Sequence, residues 1–143
     1  MSNNSRNCGF RACESIGLII SIVFGVLVAA LFASGLIPFI TTAVWILFGL
    51  AVLFLVFLVS GVYFAALSVA PALQKCICKN ALCLLAGTIG TIISAIVALS
   101  IELVFTLIAV IVIIGFLAFF FALMILGLIA LIRCIVDKLC CGE

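Results

Sequence analysis

The chain has 143 residues, of which 71% are hydrophobic and 7% are charged, whereas soluble domains carry about 25% charged residues. A water-soluble fold of this size cannot cover so much apolar surface, so the composition predicts an integral membrane protein. A net charge of +2 gives no electrostatic basis for binding nucleic acid. With no histidine and four acidic residues, the chain lacks the groups that acid–base catalysis needs, so we predict no enzyme activity and no small-molecule substrate.

Four stretches of the sequence are apolar enough to cross a bilayer, which takes roughly 20 residues in a helix. The first two stretches end before prolines, Pro38 and Pro71, which cannot continue a helix without losing a hydrogen bond. The remaining apolar sequence is too long for one crossing, and its single charge, Glu102, favours a turn near residues 100–106. We predict an all-α integral membrane fold of two tandem helical hairpins, with transmembrane helices at residues 15–37, 41–70, 81–100 and 104–133.

The basic residues predict how the protein is oriented. Four crossings place three segments on one side of the membrane: the N-terminal residues 1–14, a loop at 71–80 and a tail at 134–143. Five of the six lysines and arginines fall in these segments, the sixth, Arg133, ends the fourth predicted span next to the tail, and the two turns on the opposite side have none. Because basic segments remain in the cytoplasm, both termini are predicted to be cytoplasmic, in a bacterial cytoplasmic membrane.

The two halves of the chain share a faint pattern that favours a parallel internal repeat. In each half, two cysteines five residues apart precede a Gly-x-Ile-Ile-Ser segment, which begins at Gly17 and at Gly90. The second and fourth spans each contain two glycines twelve residues apart. A repeat of this kind would relate the hairpins by an axis along the membrane normal. Chance agreement in so biased a composition is the alternative explanation.

Small residues recur every four positions in the first and third spans, and residues four apart lie on one face of a helix. Small side chains let two helix backbones approach closely, which is a main source of helix association in lipid. The frequency of Gly in membrane helices is the alternative explanation, and the sequence leaves open which helix each face meets. The predicted packing residues are Gly17, Ser21, Gly25, Ala29 and Ala33 in the first span, and Ala86, Gly90, Ser94 and Ala98 in the third.

All eight cysteines lie on the cytoplasmic half of this topology, seven in the three basic segments and Cys83 at the start of the third predicted span. They are consistent with four interpretations: reduced thiols that pack as small apolar side chains, a four-thiolate zinc or iron–sulfur site, S-acylation next to the membrane, or disulfide cross-links. Cofactors are not expected, although zinc or iron–sulfur stays possible under the second interpretation. The residues concerned are Cys8, Cys13, Cys76, Cys78, Cys83, Cys134, Cys140 and Cys141.

Three functions follow from these patterns. The first is a structural component that associates with itself as a homo-oligomer or lattice in contact with membrane lipid, because the chain has no soluble domain and no catalytic set. The second is a small channel or transporter with Glu102 in its pathway, since an acid inside a membrane is a functional candidate; an interfacial turn is the other interpretation of Glu102. The third is a thiol or metal-binding module on the cytoplasmic face.

Overall fold

The fold is all-helical. The computed structural model describes residues 15–36, 38–67, 71–101 and 108–140, and within these ranges there are helices and short turns but no strand. Each helix contains a stretch long and apolar enough to cross a membrane, which confirms the prediction of a four-span integral membrane protein. The helices are α1 (Ser15–Ala33), α2 (Ile40–Leu67), α3 (Pro71–Ser100) and α4 (Ile108–Cys140).

A glycine ends α1 four residues before the predicted boundary at residue 37. Gly35 has a φ of +70°, a left-handed conformation that glycine adopts without steric cost. Its amide donates to the carbonyl of Phe32 at 3.0 Å, and the Leu36 amide donates to the carbonyl of Leu31 at 3.4 Å. This pair of bonds is a Schellman motif, which satisfies the last carbonyls of the helix. The turn is therefore already made before Pro38 is reached.

The two helices of the second hairpin extend well beyond the predicted spans. Residues 71–80, predicted to be a loop, are helical and continuous with the rest of α3, and α4 continues to Cys140. Pro71 takes the first helical position, where its missing amide costs nothing, and no glycine or proline follows until Gly87. At 1.5 Å per residue, α3 and α4 are about 45 and 50 Å long, against roughly 30 Å of hydrocarbon.

The helices lie in the order α1–α4–α3–α2. Extensive contacts join α3 to α4, α1 to α4 and α2 to α3, whereas α1 and α2 make no comparable contact among the described residues. The four-helix arrangement is therefore open along one side. In a two-fold repeat, a contact between α1 and α2 would match the one between α3 and α4. The described residues of α1 and α2 make no such contact, so the packing does not follow the predicted repeat.

A compact core joins all four helices near the hairpin turns, which we call the turn end. Phe32, Val44, Ala98 and Ile114 are buried there, one from each helix. At the opposite end α1 begins and α4 ends, so the start of the first helix and the end of the last lie on the same side. We call this the cysteine end, because Cys134 and Cys140 lie on its last helical turns.

Candidate functional site: packing faces and the cysteine end

The small-residue face predicted on α1 packs against α4 of the same chain. A Cβ atom added at Gly25 would lie 2.9 Å from the carbonyl oxygen of Gly115, and one added at Gly115 would lie 3.2 Å from the Cβ of Ala29. Ser21 is fully buried, and its hydroxyl donates to the carbonyl of Gly17 at 2.9 Å. Ala33, at the end of the helix, is exposed. The face thus runs from Gly17 to Ala29 and meets α4 rather than α3.

On α3 the buried stripe differs in register from the predicted set. Ala86 is exposed, and Gly90 and Ser94 are half-buried, while Ala98 is buried. A strict four-residue repeat drifts around a helix that has 3.6 residues per turn, so it does not stay on the packed face. The residues that are buried follow spacings of three and four: Leu84, Gly87, Thr88, Thr91, Ala95 and Ala98.

The closest contact between α3 and α4 is made at Gly87. A Cβ atom there would lie 2.8 Å from the backbone nitrogen of Met124 and 3.0 Å from its Cα. One turn further along, a Cβ atom at Gly90 would collide with the ring of Phe120. These two glycines bring the α3 backbone close to α4: at Gly87 the obstructing atoms are backbone, and at Gly90 they belong to the Phe120 ring.

Two glycines of α4 serve different neighbours, which sequence reasoning missed. Gly115 lies against Ala29 of α1, whereas a Cβ at Gly127 would lie 3.1 Å from the Cδ1 of Leu84 on α3. Twelve residues turn a helix by three full turns and about 120° more, so the two glycines face two directions. The twelve-residue spacing between these glycines is visible in the sequence, and in α4 it accompanies close contacts with two different helices.

The buried hydroxyl groups are satisfied within their own helix. Thr88 donates to the carbonyl of Leu84 at 2.6 Å, and Thr91 donates to the carbonyl of Gly87 at 2.7 Å. Such bonds to the preceding turn are the usual state of Ser and Thr in a membrane helix. Glu102 lies outside the described residues, so its role in a conduction pathway stays a prediction.

The three cysteines whose side chains are described fall into two chemical states. Cys83 and Cys134 are both disulfide-bonded, whereas Cys140 is a free, exposed thiol. A disulfide sulfur is not a thiolate, so in this state neither Cys83 nor Cys134 can bind a metal or accept an acyl group.

For the other five cysteines, metal binding and acylation stay predictions. Within the described residues, no three potential ligands cluster around a common point. Two cysteines lie on the first part of α3, where the backbone alone is described, and three lie outside the described residues: Cys76 and Cys78, then Cys8, Cys13 and Cys141.

Comparison with known proteins identifies no relative: the chain matches no protein-family model, curated protein or solved structure. The features that bear on function are the helix faces that pack inside the chain, the helix faces that do not, and the cysteine end.

The contact at Gly87 leads to a stability prediction. We expect Gly87→Ala to lower the free energy of unfolding by about 1–3 kcal/mol, the usual cost of overpacking, because the obstructing atoms are backbone. Gly61→Ala is the matched control, since a Cβ there meets nothing within 4 Å, and it should leave stability unchanged or slightly higher. Unfolding of monomers in mixed micelles measures both variants. Equal stability of the two would contradict the close contact between α3 and α4.

The two thiol states lead to a labelling prediction. Protein that is denatured and alkylated with iodoacetamide, then reduced and treated with N-ethylmaleimide, should carry the first reagent on Cys140 and the second on Cys83 and Cys134. The reason is that only a free thiol reacts before reduction. Peptide mass spectrometry assigns the label at each position. Iodoacetamide on Cys83 or Cys134 would show that these sulfurs are not disulfide-bonded.

Proposed function

We propose that this protein is a structural membrane component that assembles with copies of itself through α2. The observation that carries the proposal is that α2 has the least buried candidate span of the four helices. Only 11% of it is buried, against 17% for α1, 33% for α4 and 39% for α3. Its one extensive neighbour is α3, and most of its circumference is open.

Apolar exposure alone does not support association, because lipid tails are as apolar as leucine and leave no hydrophobic drive between helices. The specific support comes from the glycines of α2. Gly49 and Gly61 are exposed, and a Cβ atom at either position would meet nothing within 4 Å. In α1, α3 and α4 most glycines stand where another helix lies within 3.5 Å. Gly49 and Gly61 of α2 likewise leave room for a close helix contact, but no helix of the same chain occupies that room.

The spacing of these glycines favours an extended assembly. Gly49 and Gly61 are twelve residues apart, as are Gly115 and Gly127 of α4, which face two different helices. By the same geometry the α2 glycines point about 120° apart. A helix with two separate close-contact positions can meet two further chains, which suits a lattice better than a closed dimer. Exposed aromatic side chains such as Phe57, which is 75% exposed, flank these positions and supply contact area.

The charge distribution supports an orientation with both termini in the cytoplasm. The antiparallel packing of α1 on α4 puts the start of α1 and the end of α4 at the cysteine end. Arg133 is exposed there. Arg6 and Arg11 precede α1 in sequence, Lys75 and Lys79 lie on the first turns of α3, and Lys138 lies on the last turn of α4. Cations resist translocation and favour the anionic inner surface of the membrane.

The assembly hypothesis is tested by adding bulk to the open glycines. Gly49→Leu and Gly61→Leu should each raise the dissociation constant of the assembly by about tenfold or more, which corresponds to an overpacking cost of 1–3 kcal/mol. Neither substitution meets an obstacle inside the monomer, so the free energy of unfolding of the monomer should be unchanged or slightly higher. Energy transfer between labelled chains, measured in liposomes over a range of protein-to-lipid ratios, gives the dissociation constants.

Ala30→Leu is the matched control for this experiment, since it adds similar bulk at an exposed position of α1. It should leave energy transfer at the wild-type level. A wild-type protein that stays monomeric at every ratio would refute self-assembly. Assembly that is equally insensitive to all three substitutions would refute the role of α2 while leaving self-assembly intact.

The free thiol of Cys140 provides a test of orientation. In sealed vesicles of the native membrane, a membrane-impermeant maleimide should label Cys140 when the cytoplasmic face is outward and not when it is inward. Cys140 is exposed and free, so its reactivity depends on which side the reagent reaches. Permeabilised vesicles provide the control for full labelling. Labelling from the opposite face would reverse the proposed topology.

A further inference from the structure

A groove opens at the cysteine end between α1 and α4, with α3 at its base. Its volume is about 420 Å³. Ile16 and Gly17 contribute one wall, Leu126 and Ile129 contribute the other, and Cys83 lies at the base.

The groove has an apolar interior and a single cation among its lining residues. Arg133 is the charged member of the lining, and its side chain is exposed. Asp137, one helical turn further along α4, does not line the groove. Arg133 lies four residues before Asp137, where the candidate span ends, and an arginine near the end of a span extends its guanidinium toward the lipid headgroups.

We propose that this groove is a binding site for one anionic phospholipid. An acyl chain occupies the apolar groove, and the guanidinium of Arg133 binds the phosphate. Charge complementarity identifies the ligand, since guanidinium recognises phosphate through two parallel hydrogen bonds. Basic positions between membrane helices on the cytoplasmic side are sites of this kind. The inference does not depend on self-assembly, because the groove lies on α1, α3 and α4 and contains no residue of α2.

A lipid suits the groove better than a second copy of the chain does. The groove joins a hydrocarbon-lined cleft to a cation, which is the chemical order of an acyl chain and its headgroup. A helix from another chain would have to place an acidic group opposite Arg133, and the four acids are Glu14, Glu102, Asp137 and Glu143. Of these acids only Asp137 lies within a described candidate span, at the very end of the α4 span, so among the described spans a second copy could face Arg133 with an acid only through the end of its own α4 span.

The proposal is tested by measuring which lipids the purified protein retains. Wild-type protein in mild detergent, supplied with equal phosphatidylglycerol and phosphatidylcholine, should keep one phosphatidylglycerol in native mass spectra. Arg133→Gln should reduce that retention by about tenfold, the effect of one charge-assisted hydrogen-bonding group. Gly17→Leu should reduce it as well. A Cβ at Gly17 lies 3.9 Å from Leu126, so the larger side chain enters the groove without a backbone clash.

Three controls make the result decisive. Arg133→Lys keeps the charge and should retain more lipid than Arg133→Gln, and Ala30→Leu, which adds bulk to α1 outside the groove, should bind as wild type does. Free glycerol phosphate should not compete, because the acyl chain supplies most of the contact. Equal retention of both lipids by wild type and Arg133→Gln would overturn the proposal. So would a Gly17→Leu variant that changes oligomeric state but not lipid content, or effective competition by glycerol phosphate.

Discussion

The structure depends on how closely the backbone of α4 approaches two other helices. In lipid there is no hydrophobic drive between helices, so dispersion contacts at short range must hold them together. At Gly25 and Gly115 the backbones of α1 and α4 are close enough that a Cβ atom would lie 2.9 Å from a carbonyl oxygen. At Gly87 the backbone of α3 is as close to Met124. These contacts place α4 between α1 and α3.

The same constraint explains why α2 differs from the rest. It reaches the shared core at its first turns, through Ile40 and Val44, but its glycines have no partner inside the chain. A helix that is held at one end and along one face leaves the remaining faces for lipid or for another chain. The arrangement is thus open between α1 and α2 because the glycines of α1, α3 and α4 contact a neighbouring helix and those of α2 do not.

The sequence predicts the coarse fold well, because crossing a bilayer takes a long apolar run and little else. It predicts less well where the helices end and which face is packed. The helical state of residues 71–80 was missed, because a cluster of polar residues was interpreted as a loop although it contains no helix breaker. The stripe on α3 was placed one position off at Ala86, since a four-residue repeat in sequence does not follow a 3.6-residue helix. The choice of α4 as the neighbour of α1 depends on three-dimensional packing, which residue spacing alone cannot specify.

The cysteine end combines two features that point to different environments. Its cations favour the cytoplasm, where thiols are ordinarily kept reduced, yet Cys83 and Cys134 are disulfide-bonded. The position of Cys83 accounts for part of this difference. Reduction requires a thiolate to reach the disulfide sulfur, and Cys83 is only 8% exposed, at the base of an apolar groove inside a membrane-crossing segment. A charged, hydrophilic reductant has no favourable route to that position, and an acyl chain in the groove would close the approach further. Burial therefore limits attack at the Cys83 sulfur, whereas Cys134 is half-buried and Cys140 is an exposed thiol.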